Sequence, residues 1–182
     1  MTFPTGDGRI SPLLAPDYLT GLAERPVAEI RAMRAEAEQA ETDLSYLRRL
    51  LQGRVDILRA ERARRSGDGP AGSLVDALPE ILADERVPAH GLGRYASREP
   101  SDVDVHRRYV ESLVSDGDLS DPAGVDEQTL ERVLEVLNRE EADVSRRRRA
   151  VQAVMDALTE ELGRRYKVGA ADVADLLPTE SE

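Results

Sequence analysis

The sequence predicts an all-α protein organised as a long two-helix coiled-coil hairpin with short accessory helices. Three observations predict it. Apolar residues recur in alternating steps of three and four over two long stretches, the mark of a coiled-coil seam. Aromatic residues are scarce (Phe3, five tyrosines, no Trp), while 40% of the 182 residues are hydrophobic and 34% charged. That balance suits helices that bury aliphatic stripes and expose charged faces better than it suits a globular core. Finally, one polar pattern occurs twice at an offset of one hundred residues, so the chain carries an internal repeat.

Residues 1–24 carry Pro4, Pro12, Pro16 and Gly6, Gly8, Gly21. Proline fixes φ and lacks a donor, so this is an irregular N-terminal segment, or one short helix around Tyr18 to Ala23. Residues 25–66 form the first long helix. Pro26 suits its first turn, and Ile30, Met33, Ala37, Ala40, Leu44, Leu47, Leu51 and Leu58 supply the seam, with Arg54, beside Val55, at the skipped step. Arg64 and Arg65 followed by Gly67, Gly69 and Pro70 stop it. Residues 67–125 form a connector with short helices: helical turns around Pro79, a loop over 87–93, and a helix from Asp102 to about Ser115. Ser101 is the expected cap of that helix, and Asp104 completes the box. Residues 126–167 form the second long helix, capped by Asp126, with apolar positions at Leu130, Val133, Leu134, Leu137, Val144, Val151, Met155, Leu158 and Leu162. Residues 168–182 give a short C-terminal helix, Ala170 to Leu177, and a frayed tail. A connector of this length supports parallel or antiparallel pairing of the long helices.

Several function classes are excluded. Without cysteine there is no disulfide or thiolate site, and His90 and His106 alone do not make a His-based metal site. Both histidines read as ordinary loop or helix-surface residues. No stretch approaches the ~18 consecutive apolar residues of a membrane span, and no signal-peptide pattern opens the chain, so the expected location is cytoplasmic. The net charge of −11 repels nucleic acid and argues against direct DNA binding. It favours basic surfaces, including the DNA-binding faces of other proteins. Lys167 is the only lysine in an Arg-rich set of cations. No phosphate-cradling Gly loop or nucleophile–base pair is visible, so the chain does not read as an enzyme.

The repeated pattern is E-x3-S-x2-R-x3-Q-x3-D. The first copy is Glu41, Ser45, Arg48, Gln52 and Asp56; the second is Glu141, Ser145, Arg148, Gln152 and Asp156. At about 100° per residue, each set falls within an arc of roughly 80° on one helix face. That face flanks the seam and so lies at the mouth of a groove between two helices. Seam residues changed between copies (Leu47 against Arg147, Val55 against Met155) while the five polar residues did not. Two acids, an Arg, an amide and a hydroxyl make a poor catalytic set and a good guanine reader. A carboxylate accepts from N1–H and the exocyclic amine, and Arg forks onto O6 and N7 or stacks on the ring. Arg49 and Arg149 are candidate phosphate contacts. Two equivalent half-sites call for a ligand with two equivalent halves. The bland alternative is a pair of solvated faces laced with i,i+4 contacts on a structural or adaptor coiled coil. Tyr46, beside Ser45, could stack on a base, but Arg146 replaces it in the second copy.

The doubled pattern resembles the signature of the RsiG family of actinobacterial anti-sigma factors, also described as aerial mycelium formation proteins. All five positions of both copies match. The resemblance covers the two long helices and not the connector or tails. It implies an antiparallel coiled coil in which a dimer of cyclic di-GMP binds between the two motifs, through the ten residues named above. It also implies that the loaded protein sequesters a sporulation sigma factor of the WhiG type.

Overall fold

The computed structural model describes residues 7–68, 79, 99–114, 122–167 and 169. They form four α-helices: α1 (Asp7–Leu13), α2 (Val27–Ser66), α3 (Val103–Leu113) and α4 (Glu127–Lys167), with a 3-10 turn at Pro122–Gly124 before α4. There is no strand among the described residues. The expected turns flanking Pro79, the 87–93 loop with His90, and the helix from Ala170 to Leu177 lie outside them. No described helix is long and apolar enough to cross a membrane.

α2 and α4, of 40 and 41 residues, are each a rod about 60 Å long. They run antiparallel. Arg31, near the start of α2, donates twice to the hydroxyl of Tyr166 near the end of α4 (3.0 and 2.7 Å). Arg65, at the end of α2, meets Glu127 at the start of α4 (3.3 Å). The seam is continuous between them. Leu44, Leu51 and Leu58 on α2 and Leu130, Leu137, Val144, Val151 and Leu158 on α4 are all 2% exposed or less. Each such side chain stabilises the hairpin by about 1.5–3 kcal/mol relative to exposure. Val55 is buried and fills the step that Arg54, which is exposed, leaves open. On α4 the step after Val151 is taken by buried Val154, not by Met155, which is half-buried, because three residues advance the seam better than four there.

The helix ends follow from local chemistry. Pro26 precedes α2, and its carbonyl accepts from Glu29 and Ile30. Gly67 closes α2 in the left-handed region (φ 82°), and the N–H of Asp68 then returns to the carbonyl of Ala63 at 2.9 Å. Asp126 caps α4 by accepting from both the N–H and the hydroxyl of Thr129 (2.9 and 2.8 Å). Those bonds hold its carboxyl below the usual carboxylate range.

Three expectations need correction. Ser101 does not cap α3. Its N–H and hydroxyl donate to the two oxygens of Asp43 on α2 (2.7 and 2.6 Å), and Asp102 precedes the helix with φ 51° and no side-chain cap. A buried carboxylate outcompetes a local cap, because bonds to a charged acceptor are the stronger ones. In the N-terminal segment the helix is α1, and Tyr18–Ala23 lies in turns. Pro12 sits inside α1 and removes one helical bond, which burial of Ile10 and Leu13 (3% and 2% exposed) offsets. His106 is not a surface residue. It is buried, with Nδ1 3.1 Å from the carbonyl of Asp102.

Candidate functional site

Each motif occupies one flank of its helix, and antiparallel pairing brings the two flanks together. The result has local two-fold character. Glu41 Oε1 accepts from the hydroxyl of Ser45 (2.9 Å) on its own helix, and from Arg148 (3.2 Å) and Gln152 (3.1 Å) on the other. Glu141 Oε1 accepts from Ser145 (2.9 Å) on its own helix and from Gln52 (3.3 Å) across the seam, with the Arg48 guanidinium at 3.9 Å. Adding one hundred to one member and subtracting it from the other turns each contact into its counterpart. The motif predicts this symmetry. In an antiparallel pair, Glu and Gln at the ends of the E-to-Q span face each other, as do Ser and Arg in its middle. Four of the five motif positions therefore meet at one centre, and each half takes its acid and hydroxyl from one helix and its cation and amide from the other.

The site is neither sealed nor flat. The Arg and Glu side chains of both ion pairs are 22–27% exposed. Both Arg48 Nε and Arg148 Nε are buried and have no hydrogen-bond partner. A buried N–H left without a partner is costly, so a matched pair of them on the motif face marks where acceptors are missing. The two carboxylates and two guanidiniums balance in charge, which leaves the face locally neutral within an acidic chain.

The remaining candidates sit around this centre. Arg49 and Arg149 are exposed, and each donates through Nε to the carbonyl of its own Ser45 or Ser145 (3.3 and 3.2 Å). Asp56 and Asp156 lie one turn beyond Gln52 and Gln152 and are not drawn into the network. Asp56 is 3.7 Å from Arg59, and Asp156 is exposed without a partner among the described residues. Arg146 pairs with Asp143. Tyr46 does not face the motif side. Its ring meets His106 of α3 edge-on, centroids 6.0 Å apart. α3 thus docks on the flank of α2 that carries Asp43 and Tyr46, away from Glu41, Ser45, Arg48 and Gln52. It is tied there by Asp43, and its Tyr109 hydroxyl donates to Glu140 on α4.

Two residues at the helix ends escaped the sequence reading: Glu61 and Glu161. Both accept from a following pair of arginines, Arg64 with Arg65 and Arg164 with Arg165. Hydrogen bonds from Arg64 and then Arg65 hold the Glu61 carboxyl below its ordinary value, against the effect of its burial. Arg164 and Arg165 do the same to Glu161, down to about 2. The signal was present, since E-x2-R-R recurs at the same offset of one hundred, but the arginines alone read as ordinary helix-end cations.

Carboxylate, guanidinium, amide and hydroxyl, doubled about a two-fold, line one face of an all-α helical hairpin. The RsiG-like family model matches residues 16–82 and 116–180, one stretch per repeat and more than half of the chain, and the chain belongs to that family. Membership gives it the role of an anti-sigma factor with a sigma factor as partner. No curated protein matches the sequence.

Proposed function

We propose that the chain is a cyclic di-GMP-responsive anti-sigma factor. Two molecules of cyclic di-GMP sit as a dimer on the motif face, and the loaded hairpin sequesters a sigma factor of the WhiG type and blocks its transcription. The observation that carries this reading is the two-fold exchange of Glu, Ser, Arg and Gln contacts, with an unpartnered Nε on each Arg. Guanine N7 and O6 are acceptors of the kind those Nε groups lack, and Glu41 and Glu141 accept from the Watson–Crick edge. Asp56, paired only loosely with Arg59 of its own helix, and Asp156 lie outside the internal network and receive the outer bases. Arg49 and Arg149 flank the face as phosphate contacts.

Ligand supplies acceptors that the face alone does not hold, so it favours the hairpin state that fits it. A sigma factor that binds this state better gains affinity through linkage, by as much as the ligand distinguishes the two states. The net charge of −11 suits the basic DNA-binding surfaces of a sigma factor and competes with promoter DNA for them. The cytoplasm is where sigma factor and polymerase meet. A second reading also has an observation behind it: Glu41 and Glu141 are already paired across the seam, which by itself would make a structural coiled coil or adaptor without a nucleotide ligand.

Capture of the chain on an immobilised WhiG-type sigma factor, with and without cyclic di-GMP, separates the two. The expected result is nucleotide-dependent capture, abolished by Arg48→Ala with Arg148→Ala. Equal capture without nucleotide would remove the ligand from the mechanism, and no capture in either condition would remove the partner.

A further inference from the structure

The two ends of the hairpin are closed by matching clamps. At the end of α2, Glu61 is fully buried and accepts from Arg64 (2.8 Å, twice) and from Arg65 Nε (2.8 Å). Arg65 directs its terminal N–H groups to the carbonyls of Pro122 (2.9 Å) and Val125 (2.6 Å), which lead into α4. One hundred residues later, Glu161 accepts from Arg164 (2.8 and 2.7 Å) and from Arg165 Nε (2.7 Å). Arg165, 9% exposed, donates to the carbonyls of Leu22 and Arg25 (2.5 Å each), which lead into α2. The acceptors 22 and 122, and 25 and 125, obey the same offset as the donors.

These residues stand where the seam would otherwise continue with aliphatic side chains. An aliphatic seam repeats every heptad, so sliding one helix by seven residues, about 10 Å, again sets aliphatic against aliphatic. Loop closure depends only weakly on length, so the roughly 60 residues between the two long helices add little cost to such a slide. The motif network does not tolerate it, since Glu41 would then miss Arg148 and Gln152. Buried polar groups in coiled coils are best attested as register devices, which give up stability for a single alignment.

We infer that Arg65 and Arg165, each aligned by the glutamate four residues before it, are positioning residues that set the register of α2 against α4 and thereby assemble the two halves of the motif site. Their carbonyl targets exist at one axial position only. In a slipped hairpin each guanidinium keeps the glutamate of its own helix but loses its carbonyl acceptors across the hairpin, so the slipped state is disfavoured at both ends at once. α3 also bridges the rods, through Asp43 and Glu140, but from one flank near the middle, where a single short helix can follow a slide by tilting.

The inference is independent of any ligand and is tested without one. The chain has no cysteine, so nitroxide labels can be placed at Ala32→Cys and Glu131→Cys, both exposed positions. They lie about 45 Å apart along the hairpin, and a one-heptad slide moves that distance by about 10 Å. The parent should give one narrow distance population by pulsed electron paramagnetic resonance. Arg65→Met with Arg165→Met should add a second population displaced by about 10 Å, at a temperature where helicity by circular dichroism equals the parent's. A merely stabilising role would lower the melting temperature and leave the distance alone, and that outcome overturns the inference. If the double variant does not fold, Arg65→Lys with Arg165→Lys keeps the charges and removes the forks. A second population is expected there too, and a single unchanged one would equally refute register setting.

Discussion

Replacing Glu41 and Glu141 one at a time with alanine tests the internal network of the motif face. Glu41 accepts three hydrogen bonds within 3.2 Å, one from a guanidinium. Glu141 accepts two, at 2.9 and 3.3 Å, and its Arg48 partner is 3.9 Å away, outside hydrogen-bond range. A net hydrogen bond contributes about 0.5–1.5 kcal/mol, more to a charged group. The side chains of both pairs are about a quarter exposed, which trims the ionic part towards the lower end. Glu41→Ala should therefore destabilise by about 2–3 kcal/mol and Glu141→Ala by about 1–2 kcal/mol. For a chain of this size each kcal/mol lowers Tm by about 2–4 °C. Urea denaturation followed by circular dichroism measures both. Losses below about 0.5 kcal/mol in both variants, the range of ordinary surface substitutions, would show that the network is only a solvated face. A larger loss for Glu141 than for Glu41 would contradict the difference in their bonding.

Two further outcomes are expected. Asp43→Ala removes two short bonds from Ser101 at a buried carboxylate and should release α3 at a cost of about 2–4 kcal/mol; amide exchange should accelerate across Val103–Leu113 and stay slow in α2 and α4, and unchanged protection of α3 would refute the tie. The carboxyls of Glu61, Asp126 and Glu161 are all held below their ordinary values, Glu161 at about 2 against 4.5. Depressed carboxylates contribute stability that is fully present above the ordinary value and lost as pH falls through the folded one. Tm should therefore fall between about pH 4.5 and 2, and Glu61→Gln with Glu161→Gln should flatten that fall; the same slope in parent and variant would move the acid sensitivity elsewhere.

The long helices and their seam were legible because they are written locally, in apolar steps of three and four, in Pro26 and Asp126 at the starts and in Gly67 at one end. The two-fold centre was legible because Glu, Ser, Arg and Gln recur at one offset. Direction was not legible in the spacing, since a connector of this length fits either sense; the family resemblance implies the antiparallel sense, and cross-seam pairs such as Arg31 with Tyr166 show it. The long-range choices were also hidden. Ser101 prefers Asp43, 58 residues earlier, to its own helix, and no local pattern announces that. His106 and Tyr46 were read one residue at a time, but each is buried or turned by the docking of α3. Asp56 and Asp156 share the motif's face without joining its network, because the E-to-Q span closes on itself and leaves the final acid one turn outside.

The most direct test of a two-fold nucleotide site is calorimetric titration of the chain with cyclic di-GMP. Two nucleotides per chain are expected, with binding lost in Arg48→Ala with Arg148→Ala and weakened in Asp56→Ala with Asp156→Ala. A stoichiometry of one, or no heat and no thermal shift at any nucleotide concentration, would contradict it and leave the paired motifs as the polar lining of a structural coiled coil.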